Sequence, residues 1–218
     1  MQGSLQKIGG IAAVFQALAY IAGFTVLIFL LTPEHADTLS DTEKLRFLLD
    51  NRILFQTWIL IIYVLFGVAL VVLVIALNER LKNHSSAILQ TATVFGFIWA
   101  ALVLASGMIA NVGLDTVAKI FTKDQEQATT IWFSIEAVHN GIGGGVEIVG
   151  GVWVLLISWV ALKYKALPRW LNYIGLIVGV AGILSVVPGF SAVGTFFGLV
   201  QIVWFAWMGA FLLRNQQP

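Results

Sequence analysis

Six stretches of this chain are long and apolar enough to cross a bilayer, and nothing else in it limits the fold as strongly. Ile8–Leu31, Ile53–Leu77, Ile88–Val112, Ile142–Leu162, Leu171–Val187 and Ala192–Leu213 are the candidate spans. Each falls within the ~17–25 residues that a transmembrane helix needs. The fifth is short and the fourth is interrupted by Glu147. Inside lipid a backbone must satisfy its own hydrogen bonds, which leaves helices or a closed barrel. Barrel strands alternate apolar and polar residues, and Val68–Leu77 does not alternate. The expected fold class is therefore all-α: a polytopic membrane helical bundle of about six transmembrane helices, forming a single domain over 1–218.

Composition supports lipid as the surrounding solvent. Hydrophobic residues make up 59% of the chain and charged residues 11%, against roughly 25% charged in a soluble domain. Net charge is +1, so the chain has no basic excess for nucleic acid. It has no cysteine, which excludes disulfides, thiolate catalysis and Cys-ligated zinc or iron–sulfur clusters. Ile8–Leu31 is too long for the core of a cleavable signal and is read as a retained span that also directs insertion.

Basic residues set the expected orientation. Lys7, Arg80, Lys82, Lys163, Lys165, Arg169 and Arg214 fall on one side of a six-span layout. On the other side Lys44, Arg46, Arg52, Lys119 and Lys123 are diluted by eight carboxylates. Both termini are therefore expected in the cytoplasm. The two long connections then face outward, each with a short amphipathic helix, over about 41–51 and 116–139. In the first, Ser40 and Glu43 form a capping-box pattern ahead of Leu45, Leu48 and Leu49. In the second, Val117, Ile120 and Phe121 form an apolar stripe.

The segment IEAVHNGIGGGVEIVGGVW, residues 135–153, carries the only carboxylates in or near an apolar span. On a continuous helix Glu136, Asn140, Gly143 and Glu147 would share one stripe at i, i+4, i+7 and i+11, with His139 beside Glu136. Counting ~20 residues outward from Leu162 puts Glu136 and His139 at headgroup level and Glu147 about a turn inside the hydrocarbon. No Lys or Arg lies within a span. An ionised Glu147 would cost several kcal/mol in dry lipid. It is expected either to be protonated at neutral pH or to face a hydrated cavity. A rival reading has Glu147 hydrogen-bonding Gln16, Gln56 or Gln201 on a neighbouring helix. Glu136, His139, Asn140 and Glu147 are the candidate ligand- or ion-binding residues. Gly141, Gly143, Gly144, Gly145, Gly150 and Gly151 are expected to serve close helix packing.

Glu136-x-x-His139 has the i, i+3 spacing of carboxylate-bridged dimetal bundles, but the second such pair is missing. No metal and no cofactor is therefore assigned. No G-x-S-x-G, H-E-x-x-H, P-loop or dinucleotide motif occurs, and no catalytic residue is assigned.

The six spans, the outer helix before the fourth, the H-N-x-I-G-G-G-x-E segment from His139 to Glu147 and the run LPRWLNYIGLIVGVAGIL resemble one bacterial family. It is the family of uncharacterised membrane proteins called domain of unknown function 4386. The resemblance covers nearly the whole chain and is most specific from His139 to Val187. It implies a multi-pass protein of the bacterial inner membrane, and it supplies no activity, substrate or catalytic residue.

Three functional readings follow. The leading one is binding or transport of a small ligand, cation, proton or lipid headgroup through an outward-facing acidic pocket. The second is a membrane-embedded enzyme acting on lipid, with Glu136 and His139 as an acid–base pair. The third is an accessory subunit of a larger membrane complex. Expected partners are membrane lipids and either further copies of the chain or a larger complex, with no nucleic acid.

Overall fold

A computed structural model describes residues 2–84, 87–144, 147–187, 189 and 191–215. Among the described residues the regular elements are all helical, with no strand. Five helices are long and apolar enough to cross a membrane, and a sixth apolar helix, Arg169–Leu184, is shorter. The chain is an all-α polytopic membrane bundle.

The first crossing is α1, Gln2–Leu30. The second begins as α3, Arg52–Ile59, passes through a π-helical turn, Leu60–Leu65, and continues as α4, Phe66–Leu81. The third is α5, Ala87–Phe121. The fourth is divided into α6, Gln125–His139, and α7, Ile148–Lys163. The last two are α8, Arg169–Leu184, and α9, Ser191–Arg214. The turn expected at Pro188-Gly189 falls partly outside the described residues, because Pro188 is not among them.

Lipid removes most of the hydrophobic drive between helices, so small residues that let backbones approach do much of the packing. A Cβ on Gly10 of α1 would stand 3.1 Å from the Gly209 carbonyl of α9. Farther along the same pair, one on Gly198 would stand 3.5 Å from the Tyr20 ring. The first and last helices are therefore antiparallel neighbours. Arg80 of α4 bridges their terminal ends: it donates to the Asn215 carbonyl at 2.8 Å and reaches the Gln6 side-chain oxygen at 3.5 Å. The centre holds a row of indoles, Trp99, Trp153 and Trp204, with ring centroids 5.7 and 5.6 Å apart along the row. Large apolar side chains such as Phe29 and Ile53 stand 75% and 81% exposed. Apolar surface of this kind on every crossing is what a lipid-facing bundle presents.

At the end away from the termini a second, smaller core forms. Helix α2, Asp41–Asp50, starts at a complete capping box: Ser40 accepts from the Glu43 N–H, and Glu43 accepts from the Ser40 N–H at 2.8 Å. The Ser40 hydroxyl also donates to the Glu43 carboxylate at 2.7 Å, and this bond together with that from the Ser40 N–H holds the Glu43 carboxyl below the usual carboxylate range. Leu45 of α2 packs with Leu114 and Val117 of α5 and with Ala128 and Trp132 of α6. Arg46 donates to Gln125 at 3.0 Å, and Thr42 meets Thr129 at 3.2 Å.

This small core corrects the reading of 116–139 as one outer helix. The stretch is two pieces. Residues up to Phe121 finish α5, which continues beyond Val112 because Leu114 and Val117 still have α2 and α6 to pack on. The chain then turns, and Asp124 accepts from the Gln127 N–H at 2.9 Å to start α6.

Candidate functional site

The fourth crossing is not one straight helix. After His139 the backbone enters a π turn, Asn140–Gly144, and leaves helical geometry at Gly143 (φ 164°, ψ 3°). Glu147 then caps α7 with a backbone that is also non-helical (φ −100°, ψ 18°). A helix start leaves N–H groups without intrahelical partners. Ser185, at the end of α8, supplies one partner. Its hydroxyl accepts from the Glu147 N–H at 3.0 Å and donates to the Gly182 carbonyl at 2.7 Å. The i, i+4, i+7, i+11 stripe therefore does not exist as drawn, because a run of glycines offers no side-chain packing to keep one helix continuous.

The residues converge nonetheless. Glu136, His139, Asn140, Gly143 and Glu147 all line one cavity of ≈ 420 Å³ in the half of the bundle away from the termini. Tyr20, Trp58, Tyr63, Phe66, Trp99 and Trp132 supply aromatic walls from the first three crossings and from α6 itself. The aromatics brace one another: Tyr20 meets Phe66 edge-on at 5.3 Å, and Phe66 meets Trp99 at 6.0 Å. Trp58 is held by its own indole N–H, which donates to the Gly23 carbonyl at 2.9 Å.

His139 is tied to α5. The Ser106 hydroxyl donates to the His139 carbonyl at 2.9 Å, while the ring Nδ1 lies 2.7 Å from that hydroxyl and 3.0 Å from the Ser106 carbonyl. A carbonyl only accepts, so the arrangement is satisfied when Nδ1 carries the proton. The second ring nitrogen, Nε2, is then an acceptor for whatever occupies the cavity. Across from it stands Tyr63, in the π turn of the second crossing, with its ring 5.0 Å from the imidazole. Two π turns thus flank the same space; such turns add a residue to a helix and are frequent at functional sites.

The lining holds two carboxyl groups, Glu136 and Glu147, and one imidazole, His139, and no Lys or Arg. Among the described residues neither carboxylate has an ion-pair partner. Nor does Glu147 bond the glutamines considered for it. Gln56 donates to Asp115 at 2.9 Å, and Gln16 and Gln201 are fully buried with both side-chain ends unpartnered. No group of three His, Asp or Glu converges as a set of metal ligands among the described residues.

The glycines divide into two kinds. A Cβ on Gly150 would fall 2.5 Å from the Trp99 ring, and one on Gly151 would fall 2.8 Å from the Gly179 carbonyl. At Gly141 a Cβ would meet nothing within 4 Å, and at Gly143 only ordinary contacts at 3.5 Å. The packing role expected of Gly141 and Gly143 is therefore corrected: Gly143 marks the helix break, and Gly141 faces open space. Gly144 ends the π turn, and Gly145 lies outside the described residues.

A family model described as Domain of unknown function (DUF4386) matches residues 8–215. The chain belongs to this family. No curated protein and no solved structure matches it. The DUF4386 match takes in all the cavity-lining residues, from Ala19 to Gly198. The family description assigns no activity, so for this DUF4386 member the chemistry must be read from the cavity.

The aromatic walls and the two serines were not assigned to the site from sequence. Ser106 and His139 are 33 positions apart, and Ser185 and Glu147 are 38 apart, so no local spacing links them. The one usable signal was that Ser106 and Ser185 are polar residues within apolar runs.

Proposed function

We propose that the chain binds a small ligand in this cavity and serves in its uptake or transport across the bacterial inner membrane, with both termini in the cytoplasm and the mouth facing outward. The observation that carries the reading is the convergence of Glu136, His139 and Glu147 on an open space of ≈ 420 Å³. Ligand pockets commonly have ~300–1,000 Å³, mostly apolar walls and a few placed polar groups. Binding is favoured over catalysis because His139 is anchored through Nδ1 to α5, and the Ser106 hydroxyl beside it is engaged in donating to the His139 carbonyl. The excess of Lys and Arg beside the termini supports the orientation.

The absence of cysteine makes the test direct. Asn140→Cys at the mouth and Thr195→Cys in the wall should both react with a membrane-impermeant thiol reagent added to spheroplasts. Phe196→Cys, on the neighbouring lipid-facing position (46% exposed), should not. Reaction of Asn140→Cys only in inverted vesicles would reverse the orientation. Equal, slow reaction at Thr195→Cys and Phe196→Cys would remove the water-filled cavity, and the proposal with it.

A further inference from the structure

We infer that the ligand is a lipophilic organic ammonium ion, held by cation–π contact with the aromatic walls and by charge pairing with Glu147, with Glu136 at the entrance. This rests on the binding reading above and narrows it to one chemical class.

Four observations lead to it. First, the charged groups of the lining are acidic. Glu136 and Glu147 lack ion-pair partners among the described residues, and no Lys or Arg lines the wall. A carboxylate set among largely apolar walls is stabilised by a nearby counter-charge, and a cationic ligand would supply it. Second, the walls are aromatic to an unusual extent. Tyr20, Trp58, Tyr63 and Trp99 present ring surfaces to one space, and ring faces attract quaternary and tertiary ammonium groups. An anionic ligand would find neither arrangement useful.

Third, size excludes a bare inorganic ion as the natural occupant. The cavity holds ≈ 420 Å³, many times the ~30 Å³ of a water molecule. With two carboxylates at different depths and no three-ligand group, a divalent cation would lack the six or more oxygens it needs. An organic cation fills the same volume with apolar groups and puts its single charge at one point. Fourth, the lack of Lys and Arg in the wall disfavours a phospholipid headgroup, whose phosphate would then enter without a donor of opposite charge. The ammonium group is shared by both sources, so the experiment must separate them.

His139 completes the assignment. With Nδ1 bound to Ser106, its Nε2 is an acceptor, able to take an N–H from a protonated amine as well as to lie beside a quaternary one. Lowering the pH should weaken binding, since protons compete for the carboxylates and for Nε2.

The test uses the purified full chain in detergent, with binding followed by quenching of tryptophan fluorescence. Three probes are titrated at neutral pH: benzyltrimethylammonium, its neutral carbon isostere neopentylbenzene, and phosphocholine. The ammonium probe should bind at least tenfold more tightly than either of the others, and Glu147→Gln, which keeps the side chain's size, should lower its affinity at least tenfold. Equal binding of the ammonium probe and neopentylbenzene would overturn the cation assignment while leaving the binding cavity intact. Tightest binding by phosphocholine would overturn it in favour of a lipid headgroup. If none of the three binds, the cavity reading falls as well. The probe comparison is made on the unaltered protein, so it decides the matter even if Glu147→Gln fails to fold.

Discussion

The two halves of the fourth crossing use glycine in opposite ways. In the inner half, Gly151 approaches α8 so closely that a Cβ would stand 2.7 Å from the Ile183 N and 2.8 Å from the Gly179 carbonyl. In the outer half, a Cβ on Gly141 would touch nothing, and the backbone at Gly143 has left the helix. The same residue type closes one interface and opens a cavity at the other. What separates the two uses is the neighbour. Gly151 faces Gly179 and Gly182, a matching small surface on α8, whereas Gly143 lines the cavity and Gly141 has no neighbour within reach of a Cβ.

Substituting the same residue at both places gives the strongest test of that contrast. Gly151→Ala must push backbone against backbone and should destabilise the bundle by ~1–3 kcal/mol, as overpacking does. Gly141→Ala should cost nothing and can gain a few tenths of a kcal/mol from reduced chain freedom. Thermal unfolding of the two variants in one detergent compares them directly, and equal losses of stability would erase the distinction.

A smaller effect is expected at the junction. Ser185→Ala removes the acceptor of the Glu147 N–H and the donor to the Gly182 carbonyl while leaving every glycine of the α7–α8 contact in place. An unsatisfied buried donor costs ~1–3 kcal/mol, and the cavity offers that group relief by hydration, so the lower end of the range should apply. Hydrogen exchange should speed up around residues 147–151 and stay unchanged over the first turns of α8. Uniform acceleration through both helices would mean that the junction and the glycine interface act as one unit.

The mildest effect belongs to the outer cap. The Glu43 carboxyl sits below its ordinary range because Ser40 bonds its charged form. A group lowered on folding stabilises above its unfolded pKa, and that contribution disappears as pH falls through the folded value. Acidification below the usual carboxylate range should therefore loosen α2 while the α7–α8 contact holds. Amide exchange in α2 measured across that range checks this, and an unchanged rate would show that the Leu45 contacts alone keep the helix in place.

The bundle itself was legible in the sequence because hydrophobic length is a local property, and lipid leaves a run such as Val68–Leu77 no choice but a helix. The capping box at Ser40 was legible for the same reason: its two partners are three residues apart. The candidate residues Glu136, His139, Asn140 and Glu147 stood out as polar groups in apolar surroundings, but the geometry joining them did not. A continuous helix is the local reading where the glycines break it, and the partner that meets the Glu147 N–H after the break, Ser185, lies at the end of another helix. The π turn at Leu60–Leu65 left no trace in hydropathy either, since an apolar run reads the same with one more residue per turn.

The meeting of the two chain ends at Arg80 has a consequence for the order of the polypeptide. One guanidinium touches the carbonyl of Asn215 and the side chain of Gln6, so a linker of a few residues could join tail to head. A permuted gene, opened in the connection between Leu31 and Ser40, would then encode the same helices with the same neighbours. The neighbours would then be the same in both chains, so any failure of the permuted one to assemble would report on the insertion that Ile8–Leu31 directs.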